Sequence, residues 1–163
     1  MPNYLLDLRE IVGSRPLVVA GVAGIVVKEA RILLIKRNDN GLWGMPAGSV
    51  ELYESPQEAI CRELQEETGL KTTISEVKLL NVFGGESFTY TYPNGDCCSN
   101  VTTSFLITQF SGELLKRTEE SEDCRFFAMD QLPRNIVHHE KIMIDDYIQM
   151  LQTDSFELSK KRK

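Results

Sequence analysis

The sequence has little histidine, tryptophan or paired cysteine. In 163 residues it holds two histidines, one tryptophan and four cysteines. His138 and His139 are neighbours at the start of a helical pattern, with no further His or Cys at ligand spacing, so they read as surface polar residues. Cys61, Cys97, Cys98 and Cys124 form no Cys-x-x-Cys pair, and Cys97 and Cys98 alternate sides of a strand. That argues against zinc and for reduced thiols in a cytoplasmic protein. Basic charge is also scarce: 18 Lys and Arg stand against 24 Asp and Glu, a net charge of −6. A surface of that sign suits neither long nucleic acid nor an anionic membrane. No apolar run is long enough to span a bilayer. Asp7, Arg9 and Glu10 interrupt the pattern a secretory signal would need.

What is present is enough for one core. Hydrophobic residues make up 42% of a chain of single-domain length, with no internal repeat. Leu5, Leu8, Ile11 and Val12 recur at helical spacing before Gly13. They predict a short N-terminal helix, with covering the domain and pairing with a second copy both left open. Residues 17–27 and 31–37 are rich in β-branched and aliphatic residues and predict a strand pair across Lys28-Glu29-Ala30. Residues 74–83, 97–110 and 125–129 read as further strands. Phe88, Tyr90 and Tyr92 alternate with polar residues and predict one aromatic strand face. A C-terminal helix is expected over 138–151, then a frayed basic tail. Strands interleaved with two or three helices indicate an α+β (mixed α/β) fold.

The stretch from Gly48 to Leu70 carries the chemistry. Ser55, Pro56 and Glu58 form a capping box with proline at the first helical position, and Gly69 is a natural stop. A helix of about three and a half turns should therefore run from Pro56 to Thr68. At about 100° per residue, Glu63, Glu66 and Glu67 crowd one face. Ile60, Cys61, Leu64 and Thr68 form an apolar seam beside them. Three like charges weaken a helix unless a cation sits on them, and Arg62 is expected to hold only one carboxylate. Hard oxygen donors gathered in this way suit Mg²⁺ or Mn²⁺.

The spacing Gly48-x₅-Glu54-x₇-Arg62-Glu63-Leu64-x-Glu66-Glu67-x-Gly69-Leu70 resembles the Nudix box of the MutT-like Nudix hydrolases at every fixed position. Trp43 and Pro46 ahead of it resemble the family too, with Ala47-Gly48 where many members have two glycines after the proline. The resemblance implies a mixed β-sheet sandwiched between helices, with residues 17–152 as the domain, 1–16 as an N-terminal extension and 153–163 as the tail. It implies hydrolysis of a pyrophosphate bond in a nucleoside diphosphate derivative by a metal-activated water. Glu63, Glu66, Glu67 and the Ala47 carbonyl would bind metal, with Arg62 orienting the carboxylates and Glu54 supporting either the loop or a metal-bound water. Gly48 and Gly69 would be structural. The general base would be Glu66 or a later-loop acid among Glu119, Glu120 and Glu122. Arg37, Trp43 and Tyr90 are the candidate substrate contacts. ADP-ribose-type members tend to carry a proline about fifteen residues beyond the box, where this chain has Gly84-Gly85. A ligand-sensing domain that reuses the fold is the alternative, disfavoured because every box acid is present.

Overall fold

In a computed structural model, which describes residues 3–161 and side chains as far as Ser155, the chain forms one mixed sheet between helices. Helix α1 (Tyr4–Val12) is followed by β1 (Leu17–Lys28), β2 (Arg31–Arg37), β3 (Trp43–Gly44), β4 (Ala47–Ser49) and α2 (Pro56–Thr68). Then come β5 (Val77–Phe83), β6 (Thr89–Thr91), β7 (Cys97–Ile107), β8 (Ser121–Ala128) and α3 (His138–Lys161). The sheet order is β3-β2-β1-β7-β5, with β4 on β1, β6 on β7 and β8 on β2. β1 and β7 run parallel, from Leu17 opposite Cys98 to Val26 opposite Ile107, and the other pairings are antiparallel. The β1–β2 hairpin turns through Glu29 and Ala30, both at positive φ as a two-residue turn of this hand requires.

β1 and β2 lack polar alternation because helices cover both of their faces. Val22 and Val26 of β1, with Leu33 and Ile35 of β2, pack beneath Ala59, Ile60 and Leu64 of α2. Their neighbours Ala23, Ile25, Ile32 and Leu34 pack on the other side against Met143, Ile144 and Tyr147 of α3. Gly24 lets α2 come close: a β-carbon there would stand 3.1 Å from the Ile60 Cδ1.

α2 begins and ends as its sequence dictates. The Ser55 side chain accepts the Glu58 amide, and the Glu58 carboxylate accepts the Ser55 amide in return. Gly69 stops the helix in the left-handed region, at φ 77°, and its amide donates to the Gln65 carbonyl. A β-carbon at Gly69 would meet the backbone oxygen of Glu113 at 2.7 Å. Gly69→Ala therefore combines left-handed strain with a clash that no rotamer relieves. It should cost about 2 kcal/mol or more of stability, read as a lowered denaturation midpoint.

Several expectations are corrected. Residues 74–76 form a 3₁₀ turn, so β5 starts only at Val77. Glu86–Phe88 is a second such turn. It buries Phe88 against Phe83 and His139, while Tyr90 and Tyr92 stay half exposed with their rings edge-on at 4.7 Å. The three aromatics therefore do not form one face. His139 is half-buried rather than a surface residue. β7 stops at Ile107, and β8 starts at Ser121, earlier than expected. The supposed tail is helical through Lys161, while Arg162 and Lys163 lie outside the described residues. All four cysteines are free thiols. Among the described residues, no helix is long and apolar enough to cross a membrane.

Candidate active site

The acidic face of α2 opens onto a cleft of about 1610 Å³. One wall is the loop from Ala47 to Glu54 with Arg62, Glu63, Glu66 and Glu67. Arg37 at the end of β2 and the loop residues Thr118, Glu119 and Glu120 line the same cleft. α1 borders the mouth. The Tyr4 amide donates to Glu51 at 3.0 Å, and Arg9 reaches the Cys97 carbonyl and the Cys98 sulfur on β7. The helix buries none of its own residues fully: Leu6 is 60% and Ile11 83% exposed.

Arg62 organises the carboxylates more extensively than its sequence position suggests. It holds Glu54 by two parallel bonds, Nε at 2.8 Å and Nη2 at 3.0 Å. Nη1 donates to Glu63 at 2.7 Å and Glu66 at 3.2 Å, and Nη2 also reaches the Ser49 carbonyl at 3.0 Å. Three acids share this guanidinium, not one, and the box loop is tied to α2 through it. Glu54 also accepts the Glu51 amide at 3.0 Å, so Glu54 braces the loop. The bonds from Arg62 hold Glu54 below the usual carboxylate range. A β-carbon at Gly48 would overlap the Glu63 carboxylate, so only glycine admits that acid against the loop.

Glu67 is the innermost acid of the cluster and accepts the Ala47 amide at 3.0 Å. Burial, and then the nearby charge of Glu63, push its pKa well above the usual value. Burial also raises Glu63, against the pull of Arg62. Glu67, whose partner is a backbone amide, would carry a poorly compensated charge when ionised, and a hard divalent cation would compensate it. The donor chemistry therefore fits Mg²⁺ or Mn²⁺. Among the described residues no three acidic, His or Cys side chains converge at metal-ligand spacing. Arg62 draws Glu63 and Glu66 aside while Ala47 holds Glu67, so binding a cation requires Glu63 and Glu66 to exchange the guanidinium for the ion.

The NUDIX domain family matches residues 16–147. The chain belongs to the Nudix family. An ADP-ribose pyrophosphatase from Methanocaldococcus jannaschii is 39% identical over 131 residues, 78% of this chain and 71% of that one. A NAD-capped RNA hydrolase from Vibrio vulnificus is 31% identical over 110 residues, 66% of this chain but only 38% of its own length. The crystal structure of a MutT Nudix hydrolase from Burkholderia pseudomallei superposes with a TM-score of 0.67 at 31% identity, covering 80% of this chain and 98% of that one.

Within this Nudix fold, three of the residues singled out from sequence lie away from the cleft. Glu122 is the extra residue of a bulge, where Lys36 faces Asp123 but Arg37 faces Ser121. Its carboxylate pairs with Lys36 at 3.1 Å. Trp43 is 7% exposed and packs edge-on against Phe127 at 4.9 Å beneath the Arg125 guanidinium, so it anchors the core and stacks no base. Tyr90 does not border the cleft, whereas Tyr92 does. Arg37 does border it, with its guanidinium paired to Asp39 at 2.8 and 2.9 Å. That pairing raises its pKa further and leaves it charged.

Glu140 escaped the sequence reading. An acid in the first turn of a helix ordinarily looks like compensation for the helix dipole. Here it is buried, lines a side lobe of about 400 Å³ with Arg37, Glu67 and Glu120, and accepts the Met45 amide. Burial pushes its pKa up to about 7.

Proposed function

We propose that this chain hydrolyses a pyrophosphate bond in a nucleoside diphosphate joined to a second group, using Mg²⁺, with Mn²⁺ as a substitute. The observation that carries this reading is the shared cleft: Glu63, Glu66, Glu67 and the Ala47 loop line one opening together with Arg37, Glu119 and Glu120. Glu63, Glu66, Glu67 and the Ala47 carbonyl would hold the cation. When bound, it neutralises phosphate oxygens, polarises phosphorus and acidifies a coordinated water. Arg62 stays tied to Glu54 and the Ser49 carbonyl when Glu63 and Glu66 turn to the cation, so it braces the box loop against α2. Arg37 presents a positive charge that a phosphate group would meet in the cleft.

The base is Glu66 or one of the loop acids Glu119 and Glu120, both of which line the cleft. Glu66 is the more exposed of the box acids, and Glu120 is near enough to raise both Glu63 and Glu67 through its charge. Glu122 is withdrawn because Lys36 holds it off the cleft. Because Glu66 is also a ligand, Glu119→Gln and Glu120→Gln at saturating Mg²⁺ are the deciding variants: a loss of about 10²–10⁴ in kcat marks that acid as the base, and mild effects in both leave the role to Glu66.

The similarity to an ADP-ribose pyrophosphatase makes ADP-ribose the first substrate to assay, although Gly84-Gly85 stands where such members tend to carry proline. The test incubates the chain with ADP-ribose, sugar nucleotides and oxidised nucleoside triphosphates in Mg²⁺ or Mn²⁺ and resolves the products. Metal-dependent release of a nucleotide and a phosphorylated fragment is expected. No turnover of any of them with either metal would end this reading.

A further inference from the structure

The segment Gly44–Ala47 is suspended between the two halves of the site. Trp43, just before it, is pinned on both sides: its amide donates to the Asn135 carbonyl at 2.9 Å and its carbonyl accepts from Val137 at 2.8 Å. The Pro46 carbonyl accepts the Gly24 amide at 2.8 Å. Among the described residues, two side chains hold the amides of this segment, and both are acids. Glu67 takes Ala47 from α2, and Glu140 takes Met45 from α3.

Glu140 is an unusual choice for such a hold. It is 4% exposed, and burying a carboxylate is costly unless its oxygens find donors. It makes no ion pair among the described residues, and the Met45 amide is the donor it faces. The chain also leaves room for it. A β-carbon at Gly44 would lie 2.7 Å from one Glu140 oxygen and 3.0 Å from the other. Glycine at 44 and glutamate at 140 thus form a fitted pair, far apart in sequence and joined at the loop that leads to the Ala47 carbonyl.

We propose that Glu140 is a positioning residue: by gripping the Met45 amide it sets the Gly44–Ala47 loop, and with it the Ala47 carbonyl, against the acidic face of α2. The proposal rests on the cation-binding reading of the cleft given above. Its physical content is reach and acceptor strength. A glutamine at 140 keeps the length and one acceptor oxygen. An aspartate keeps the charge but falls short by one carbon–carbon bond, about 1.5 Å. An alanine keeps neither.

The test is Mn²⁺ binding to the full chain, measured by the electron paramagnetic resonance of free Mn²⁺, alongside thermal melts and steady-state kinetics. Glu140→Gln should bind Mn²⁺ within about twofold of the unsubstituted chain, and Glu140→Asp and Glu140→Ala should bind about tenfold or more weakly. In the latter two, kcat should fall more than KM rises. Should Glu140→Ala fail to fold, the Gln and Asp variants decide the matter by themselves. Loss in Gln with retention in Asp would make the negative charge the working feature and overturn the proposal. Shifted melting points with unchanged Mn²⁺ affinity in all variants would reduce Glu140 to a packing residue and overturn it as well. Failure of the hydrolytic reading is a separate result: Mn²⁺ would bind, with this ordering of variants, to a chain that turns over no nucleoside diphosphate derivative.

Discussion

Glu67→Gln is expected to lower metal-dependent turnover by about 10³-fold, a barrier increase of about 4 kcal/mol, while making the metal-free protein more stable above neutral pH. Both effects come from the same crowding. Glu67 is half-buried beside Glu63 and within the field of Glu140 and Glu120, and desolvation is the largest of the influences raising its pKa. A carboxamide keeps an acceptor for the Ala47 amide, so the loop contact survives. What is lost is a negative oxygen with which to bind a cation. What is gained is relief from desolvated like charge. Turnover in Mg²⁺ and melting in chelator at pH 8 measure the two separately. Unchanged turnover would remove Glu67 from the ligand set. A lower melting point would mean that its charge supports the fold.

The metal-free protein should also lose stability as pH rises from about 4.5 to about 7. Glu140 has a raised pKa in the folded chain, from 4.5 to about 7. Between those values the native state holds a proton that the unfolded state has released. The stabilisation is complete below the unfolded pKa and is lost as pH climbs through the folded one. For Glu140 alone this amounts to about 3 kcal/mol. Glu67 and Glu63, both raised, act in the same direction. His139 opposes them, because burial pushes its pKa down and its contribution disappears as pH falls. Glu54, held low by Arg62, acts only in more acidic solution. Urea midpoints in chelator at pH 5, 6, 7 and 8 should therefore decline, and Glu140→Gln should flatten the decline. Mg²⁺ should do so too, since a bound cation offsets the charge that deprotonation exposes. A profile rising through this range would contradict the burial of these acids.

The box helix was legible because each of its signals is local. Ser55, Pro56, Glu58 and Gly69 act within a turn of the residues they cap, and the glutamate spacing fixes a face without reference to the rest of the chain. β1 and β2 were legible for the opposite reason: burial on both faces leaves continuous apolar runs. The errors fall where distant parts of the chain decide. Alternation of Phe88, Tyr90 and Tyr92 promised one strand face, but Gly85 at φ 92° starts a 3₁₀ turn that sends Phe88 into the α3 side of the core. Glu122 resembled its acidic neighbours until a bulge turned it to Lys36. Glu140 could not be found from spacing, because its partner, the Met45 amide, lies 95 residues earlier.

α1 gives the opening of the cleft a practical asymmetry. Its first amide is tied to Glu51, on the same loop that Arg62 stitches to the acidic helix. Anything fused ahead of Asn3 would leave the fold beside the route by which ligand enters. A truncated form that starts at Gly13 would lack α1, strip one bank of that route and unfasten Glu51. Recombinant forms altered at this end thus risk reporting a wider and looser entrance than the intact chain has, so a purification handle belongs at the other terminus.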